Sequence, residues 1–265
     1  PLNFNVPEGS YSTKPQDPLN RITELKQTIQ YLHSRGLRVV MDVVYNHVFD
    51  AGSHSFEKLV PGYFFRKQAD GSFANGTGVG NEIASERSMA SKYIVDSSLY
   101  WAREYRLDGF RFDLMGILDV DTMNKIRKGV DSIDDDFLII GEGWNMGDVL
   151  SAEKKANQFN ASQMQRIAHF NDGIRDGLKG SVFKAAENGW ASGRPSSKLE
   201  VMSGITGEIE YSRSIVGSWG ASNPQQSVSY VEAHDNLTLY DKLKSSMPSA
   251  SEAERKRVFA LASSV

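Results

Sequence analysis

The sequence alternates helical patterns with short apolar segments, and this rhythm restricts the fold more than any other feature. The first unit opens at Asp17-Pro18, where an N-cap residue precedes a proline at the first helical position. Apolar residues then recur at helical spacing as far as Gly36, and a nearly continuous apolar segment, 37–44, follows. Apolar strands that alternate with helices are typical of parallel sheets covered on both faces.

The same unit recurs along the chain, so we predict further strands and helices of the same kind. The predicted helices span about 17–36, 91–104, 121–133, 237–245 and 252–265, and the predicted strands span 37–44, 109–114, 137–142, 165–170 and 227–232. These strands are fewer than the eight of a closed (β/α)8 barrel. The sequence therefore predicts an α/β protein whose parallel TIM barrel is incomplete within this chain.

The composition excludes several classes of protein. The chain has 265 residues, 40% of them hydrophobic, which suffices for one large α/β domain that we assign to residues 1–265. It contains no cysteine, which excludes disulfides, thiol chemistry and zinc sites built from cysteine. A net charge of −3 without a basic stripe argues against a nucleic-acid partner, and the lack of a long apolar run argues against a membrane partner. Nothing in the composition indicates the cellular compartment.

Two long segments, 48–87 and 186–224, interrupt the rhythm, because they are rich in glycine, serine and asparagine and have no clear period. Each follows a predicted strand or its helix, so we expect both to be active-site loops. Both ends of the chain are expected to be truncated, because the sequence begins without methionine and ends inside a helical pattern.

Polar residues gather where the predicted strands end. The carboxyl ends of barrel strands meet at one mouth, where the active sites of such barrels lie. Three carboxylates from three strands would share one pocket, and their mutual repulsion separates a nucleophile from a general acid. The two histidines near them are predicted to donate hydrogen bonds to hydroxyl groups as neutral imidazoles. The residues at these strand ends are Asn46 and His47, Arg111 and Asp113, Glu142 and Trp144, and His234 and Asp235.

The segment 109–114 suggests which carboxylate is the nucleophile. Its apolar residues alternate with polar ones, which puts Arg111 and Asp113 on one face of the predicted strand. A neighbouring guanidinium stabilises a charged carboxylate, and a charged, oriented carboxylate suits nucleophilic attack. The alternative is a purely structural ion pair. Glu142 follows an apolar run and lies near Trp144, a setting that suits a general acid.

Four segments together resemble the conserved regions of the α-amylase family, glycoside hydrolase family thirteen, in order and spacing. They are Asp-Val-Val-Tyr-Asn-His at 42–47, Gly-Phe-Arg-Phe-Asp at 109–113, Gly-Glu-Gly-Trp at 141–144 and Val-Glu-Ala-His-Asp-Asn at 231–236. The resemblance implies that Asp113 is the nucleophile, Glu142 the acid/base, and Asp235 the carboxylate that steadies the transition state. It also implies that the substrate-binding set consists of His47, Arg111, His234, Trp144 and Asp42, with Asp42 bracing the others.

Within that family, three features resemble the debranching enzymes, and a fourth resembles the type I pullulanases among them. The first three are Trp144, the form of the segment 231–236 and the segment 78–86. The fourth is the segment 1–12, which is similar to the continuation of a substrate-stacking signature. The resemblance implies hydrolysis of α-1,6-glucosidic linkages in pullulan, amylopectin and related branched α-glucans by a retaining double displacement. It also implies that about strands three to seven of a (β/α)8 barrel lie here, with flanking domains in the full-length chain. The activity of the isolated chain is left open.

Other interpretations remain at this point. Another activity of the same family, that of an isoamylase, an α-amylase or a transglycosylase, fits the same segments; a non-catalytic barrel that binds a sugar or a protein fits them less well. No cofactor is expected, because the glycines at 76–80 lack the flanking elements of a dinucleotide site and 134–136 lacks the spacing of a calcium loop. No motif supports a structural calcium ion, although the long loop after the first strand leaves room for one.

Overall fold

The computed structural model describes residues 3–265 and divides into two compact units. The first unit ends at Ile167, and the second runs from Ala168 to Val265. Both units combine parallel strands with helices, as the sequence predicts for an α/β protein. Pro1 and Leu2, which open the segment 1–12, lie outside the described residues. The assignment of residues 1–265 to one truncated barrel domain stays a prediction.

The first unit contains three parallel strands, in which β2 pairs with both β1 and β3. Its helices and strands are α1 (Pro18–Ser34), β1 (Val40–Val43), α2 (Ser55–Leu59), α3 (Ser88–Tyr105), β2 (Gly109–Phe112), α4 (Val120–Asp131) and β3 (Leu138–Gly141). Short 3₁₀ helices span Gly9–Tyr11, Met115–Ile117, Ala152–Lys154 and Gln158–Gln163. The predicted helices and strands of this unit are confirmed, but each strand is shorter than predicted.

Local capping explains where the helices begin and end. Asp17 accepts a hydrogen bond from the backbone N–H of Leu19 at 3.0 Å, which satisfies a donor in the first turn of α1. Asp119 caps α4 in the same way through Thr122, at 2.9 Å. Helix α3 ends at Tyr105, and the C-cap residue Arg106, whose φ of 51° lies in the left-handed region, turns the chain towards β2.

The apolar core of the first unit surrounds β2, the central strand. Phe110 and Phe112 are both fully buried, and they alternate with Arg111 along the strand. Trp101 of α3 and Ile126 of α4 belong to the same apolar cluster. Burial of each phenylalanine side chain stabilises the fold by roughly 2–3 kcal/mol. Strand β2 is therefore held in a packed core, and it carries the polar residues of the site at its end.

Strand β1 departs from the burial that the sequence predicts. We expect a strand covered on both faces, but burial is uneven, from Val40, which is 39% exposed, to Val43, which is 4% exposed. Within the described residues of the first unit, β1 pairs on one side only, with β2. An edge strand has fewer neighbours than a central one, which explains the exposure.

The long segment 48–87 is tightly packed. The guanidinium of Arg66 is 2% exposed and donates to the Ile117 carbonyl and to Glu86, both at 2.8 Å. Asn81 exchanges two hydrogen bonds with the backbone of Val48, at 2.8 and 3.0 Å. These contacts hold the segment against the turn that follows β2.

The second unit contains two parallel strands, paired from His169 to Ser227. Its helices and strands are β4 (Ala168–Phe170), α5 (Asp172–Lys179), α6 (Lys198–Ile205), β5 (Ser227–Val228), α7 (Leu239–Ser246) and α8 (Glu252–Ser264), with 3₁₀ helices at Pro195–Ser197 and Pro224–Gln226. Helices α5 and α6 were not predicted, because their glycines interrupt the helical pattern. Their apolar residues Ile174, Leu178 and Val201 form one small core.

The predicted strand 227–232 is wrong beyond Val228, because residues 229–238 are irregular. The partner strand explains this. Strand β4 ends at Phe170, and the next residue, Asn171, caps α5 through the backbone N–H of Ile174 at 3.0 Å. No partner in β4 remains for the residues that follow Val228.

None of the helices in residues 3–265 is both long and apolar enough to cross a membrane.

Candidate active site

The register of the three strands in the first unit brings polar residues from each strand together. Asp42 of β1 is the register partner of Arg111 in β2. Phe112 of β2 is the partner of Gly141 in β3, so the next residues, Asp113 and Glu142, lie side by side where the two strands end. Side chains that are far apart in the sequence are neighbours here because parallel strands run level with one another.

Arg111 lies at the centre of this group and contacts three carboxylates. Its Nη1 donates to Asp42 Oδ1 at 2.9 Å and to Asp113 Oδ1 at 3.1 Å. Its Nη2 lies 2.9 Å from Glu142 Oε1. Burial disfavours the charge of Arg111, but the hydrogen bonds and charges of these partners outweigh it and raise its pKa. The guanidinium is therefore a permanent cation between the carboxylates.

Both carboxylate oxygens of Asp113 are held. Oδ1 accepts from Arg111, and Oδ2 accepts from Asn46 Nδ2 at 2.9 Å. The backbone N–H of Asp113 donates to the Val43 carbonyl at 3.0 Å, one step beyond the β1–β2 ladder. The side chain is 25% exposed, so a ligand can reach it. An oriented, accessible and charge-paired carboxylate has the properties of a nucleophile.

Glu142 has partners that the sequence analysis did not foresee. We expect Arg111 to act on Asp113 and expect apolar surroundings for Glu142, but the same guanidinium binds both carboxylates. Glu142 Oε2 also accepts from the backbone N–H of Leu114 at 2.9 Å. These contacts were not predicted because they depend on the register of β2 and β3, which puts Glu142 level with Asp113.

The turn after β2 is pressed against the backbone that follows Glu142. Leu114 adopts a left-handed conformation, with a φ of 39°, which is uncommon for a residue with a side chain. A Cβ added at Gly116 would lie 1.9 Å from the carbonyl oxygen of Trp144. Only glycine permits this close approach, and the approach sets the position of the Glu142 backbone relative to Asp113.

His47 lies half-buried next to this group. Its Nδ1 is 2.5 Å from the side-chain oxygen of Asn46. Burial lowers the pKa of His47, while the charge of Asp113 opposes this shift. The imidazole is therefore neutral at neutral pH. Asn46 is fully buried and contacts both His47 and Asp113, although the sequence analysis gave it no role. The sequence feature that could have indicated a role for Asn46 is its position at a strand end, beside His47.

The remaining predicted site residues differ in their surroundings. Asp42 is half exposed and contacts Arg111, and Trp144 is partly buried. His234 and Asp235 lie in the second unit, in the irregular segment after β5. Their side chains are 69% and 59% exposed, with His234 Nε2 3.6 Å from Asp235 Oδ2. The roles of all four residues stay predictions.

Within the part of the chain that the structure describes, no cluster of three or more histidines and carboxylates is arranged to hold a metal ion.

Known proteins with a similar sequence identify the family, although no protein-family model matches the chain. Pullulanase from Bacillus subtilis (strain 168) is 45% identical over 270 residues, which cover all of this chain and 36% of that protein. This chain belongs to the pullulanase family of glycoside hydrolases. Pullulanase 1, chloroplastic, from Arabidopsis thaliana is 35% identical over 318 residues, covering all of this chain and 33% of that protein.

A solved pullulanase has the same backbone arrangement. The crystal structure of pullulanase from Paenibacillus barengoltzii in complex with maltohexaose and alpha-cyclodextrin is 53% identical, with a TM-score of 0.96. The match covers 99% of this chain and 40% of that chain. The resemblance to pullulanases that the sequence motifs indicated is therefore confirmed. The chain described by this structure spans about a third of the length of the curated relatives it matches.

Proposed function

We propose that the natural protein containing this chain hydrolyses α-1,6-glucosidic linkages in pullulan, amylopectin and related branched α-glucans. The observation that carries the proposal is the pair of carboxylates, Asp113 and Glu142, at the ends of adjacent strands and bridged by Arg111. Relatives named pullulanase support the substrate class, and the solved relative was crystallised with maltohexaose. The chain then contributes about strands three to seven of a (β/α)8 barrel.

The proposed reaction is a retaining double displacement. Asp113 attacks the anomeric carbon and forms a glycosyl ester, while Glu142 gives its proton to the departing glucosidic oxygen. Glu142 then removes a proton from water, the water oxygen bonds to the anomeric carbon, and the ester bond to Asp113 breaks. Retention needs carboxyl groups about 5–5.5 Å apart. Neighbouring strands lie about 4.8 Å apart, and this spacing supports retention for residues at adjacent strand ends.

Glu142 must carry a proton in the first step, and its contact with Arg111 favours the charged form instead. We therefore propose that sugar hydroxyls replace part of this contact when the substrate enters. Arg111 then keeps its hydrogen bond to Asp113 and leaves Glu142 able to act as an acid. Asp42, which binds the same guanidinium, braces it during this exchange.

The other predicted residues complete the proposal. Asp235 binds sugar hydroxyls more strongly as positive charge develops on the ring, which is a transition-state effect. His47 and His234 contact the sugar at the cleavage site, and Trp144 offers an aromatic surface for it. The flanking parts of the full-length chain supply the remaining strands of the barrel.

The test is hydrolysis of pullulan by the full-length protein, with proton NMR of the first reducing end released. Maltotriose as the product, released first as the α-anomer, is the expected result. Initial release of the β-anomer excludes the double displacement and the role given to Asp113. Cleavage of amylopectin or amylose without cleavage of pullulan favours another activity of the α-amylase family, and binding without cleavage favours a non-catalytic protein.

Asp108→Asn is the matched control for Asp113→Asn, since both remove one negative charge at opposite ends of β2. Asp108 accepts from the backbone of Val39 at 2.6 Å and contacts His33 at 2.9 Å. Its loss should lower stability and leave turnover unchanged at a temperature where the variant is folded, because residues at the N-terminal ends of barrel strands serve stability.

A further inference from the structure

Asn46 lies between His47 and Asp113 and contacts both side chains. We propose that Asn46 is a positioning residue that orients the Asp113 carboxylate and, through the same amide, determines which ring nitrogen of His47 carries the proton. This inference rests on the proposed function for its kinetic consequences. The arrangement of hydrogen atoms that it requires can be measured without any catalysis.

The orientation of the Asn46 amide follows from its partners. Asn46 Nδ2 lies 2.7 Å from the main-chain carbonyl oxygen of Asp113 and 2.9 Å from its Oδ2. A main-chain carbonyl oxygen can only accept a hydrogen bond, so the group that faces it must be the NH₂. The side-chain oxygen of Asn46 therefore points the other way, towards His47.

The protonation of His47 follows in turn. Its Nδ1 lies 2.5 Å from Asn46 Oδ1, which can only accept, so Nδ1 must carry a hydrogen atom. Because the ring is neutral, as burial dictates, Nε2 has a lone pair and no hydrogen atom. His47 thus offers an acceptor to a ligand, whereas the sequence analysis expected a donor. A sugar hydroxyl would donate to Nε2.

The same amide restrains Asp113. Arg111 binds one carboxylate oxygen and Asn46 binds the other, so the carboxylate cannot rotate without breaking a charge-assisted hydrogen bond. The second Asn46 bond, to the Asp113 carbonyl, links this restraint to the backbone. Asn46 itself is fully buried, so it acts through Asp113 and His47 and does not touch the ligand.

Neutron diffraction from deuterated crystals of the full-length protein tests the hydrogen positions directly. We expect deuterium on His47 Nδ1, two deuterium atoms on the Asn46 nitrogen facing Asp113, and none on His47 Nε2. Deuterium on Nε2 with none on Nδ1 would overturn the proposal whatever the protein hydrolyses. This measurement is independent of the proposed function.

Asn46→Leu tests the kinetic consequence, because leucine has a similar volume and no hydrogen bonds. A hydrogen bond to a charged group accounts for about 10–100-fold in rate when it acts in the transition state. We expect kcat to fall by about this factor while KM changes little.

Asn81→Leu is the matched control. Asn81 is also buried, and Asn81→Leu loses two hydrogen bonds where Asn46→Leu loses three. The partner of Asn81 is the backbone of Val48 and not Asp113. We expect this variant to lose stability and to keep its kcat at a temperature where it is folded. If the loss of kcat in Asn46→Leu is no larger than that in Asn81→Leu, Asn46 is merely structural and the proposal fails.

Discussion

Arg111 Nη2 lies 2.9 Å from Glu142 Oε1, although the two residues belong to different strands. The same guanidinium binds Asp113, so one cation serves both carboxylates to which the proposed reaction gives opposite roles. Strand register alone produces this arrangement, because Asp113 and Glu142 each follow a register-paired residue. The orientation of both carboxylates therefore depends on Arg111.

Arg111→Gln should remove activity and stability together. Without the cation, three neighbouring carboxylates repel one another, and loss of one partner from a buried ion pair costs about 3 kcal/mol of unfolding free energy. Urea unfolding at pH 7 measures this loss of stability. In the same variant, kcat/KM should fall at least about 100-fold. Lys26→Gln, which breaks an exposed ion pair with Glu104, should change stability by less than about 1 kcal/mol.

Asp113→Asn and Glu142→Gln should both lose activity, but with different dependence on the substrate. Asp113→Asn should lower kcat by several orders of magnitude while substrate binding is largely kept, since the nucleophile is lost and the shape is not. Glu142→Gln should be partly rescued by substrates with an activated leaving group, because these need less proton donation. Steady-state kinetics with natural and aryl glycoside substrates separates the two. Equal rescue of both variants would contradict the assigned roles.

Gly116→Ala should disturb the site without removing any functional group. The new Cβ would lie 1.9 Å from the Trp144 carbonyl oxygen, so the backbone around Glu142 must move. We expect a loss of about 2–3 kcal/mol in stability, within the range for overpacking, and a fall in kcat. Gly52→Ala is the control, because the nearest atom to its Cβ would be Asp50 Oδ1 at 3.5 Å, an ordinary contact. Measurements of thermal unfolding and kcat should show a loss for Gly116→Ala and no loss for Gly52→Ala.

His169 should make the second unit sensitive to acid. It is fully buried on β4 against Trp219, neither ring nitrogen has a hydrogen-bond partner within residues 3–265, and burial lowers its pKa to about 4. Between about pH 6.5, the ordinary pKa of histidine, and pH 4 the unfolded chain therefore binds more protons than the folded one. Folding stability should fall by roughly 3 kcal/mol as the pH drops through this window and should not depend on His169 above it.

His169→Met tests this pH dependence, because methionine fills a similar volume and cannot titrate. Urea unfolding of both proteins at pH 7.5 and pH 4.5 gives the comparison. The difference in stability between the two pH values should be smaller in the variant. An equal difference in both proteins would show that other groups cause the acid sensitivity.

The sequence predicted the elements whose signals are local. Asp17-Pro18 marks the start of α1, and the alternation around Phe110 and Phe112 marks β2. Helices α5 and α6 were not predicted because glycines weaken their apolar pattern. Their stability comes from the packing of Ile174 against Val201. The length of β5 depends on where β4 ends. The sequence of 227–232 carries no signal for that position.

The sequence by itself determined the family, since motif order and spacing indicate the pullulanases, and it led to a prediction of the site residues. Only the tertiary structure decided what those residues contact. Arg111 binds Glu142 as well as Asp113, and Asn46 faces His47 with its oxygen. The physical reason is that hydrophobic periodicity acts over a few residues, whereas hydrogen-bond partners depend on the register of strands that are distant in the chain.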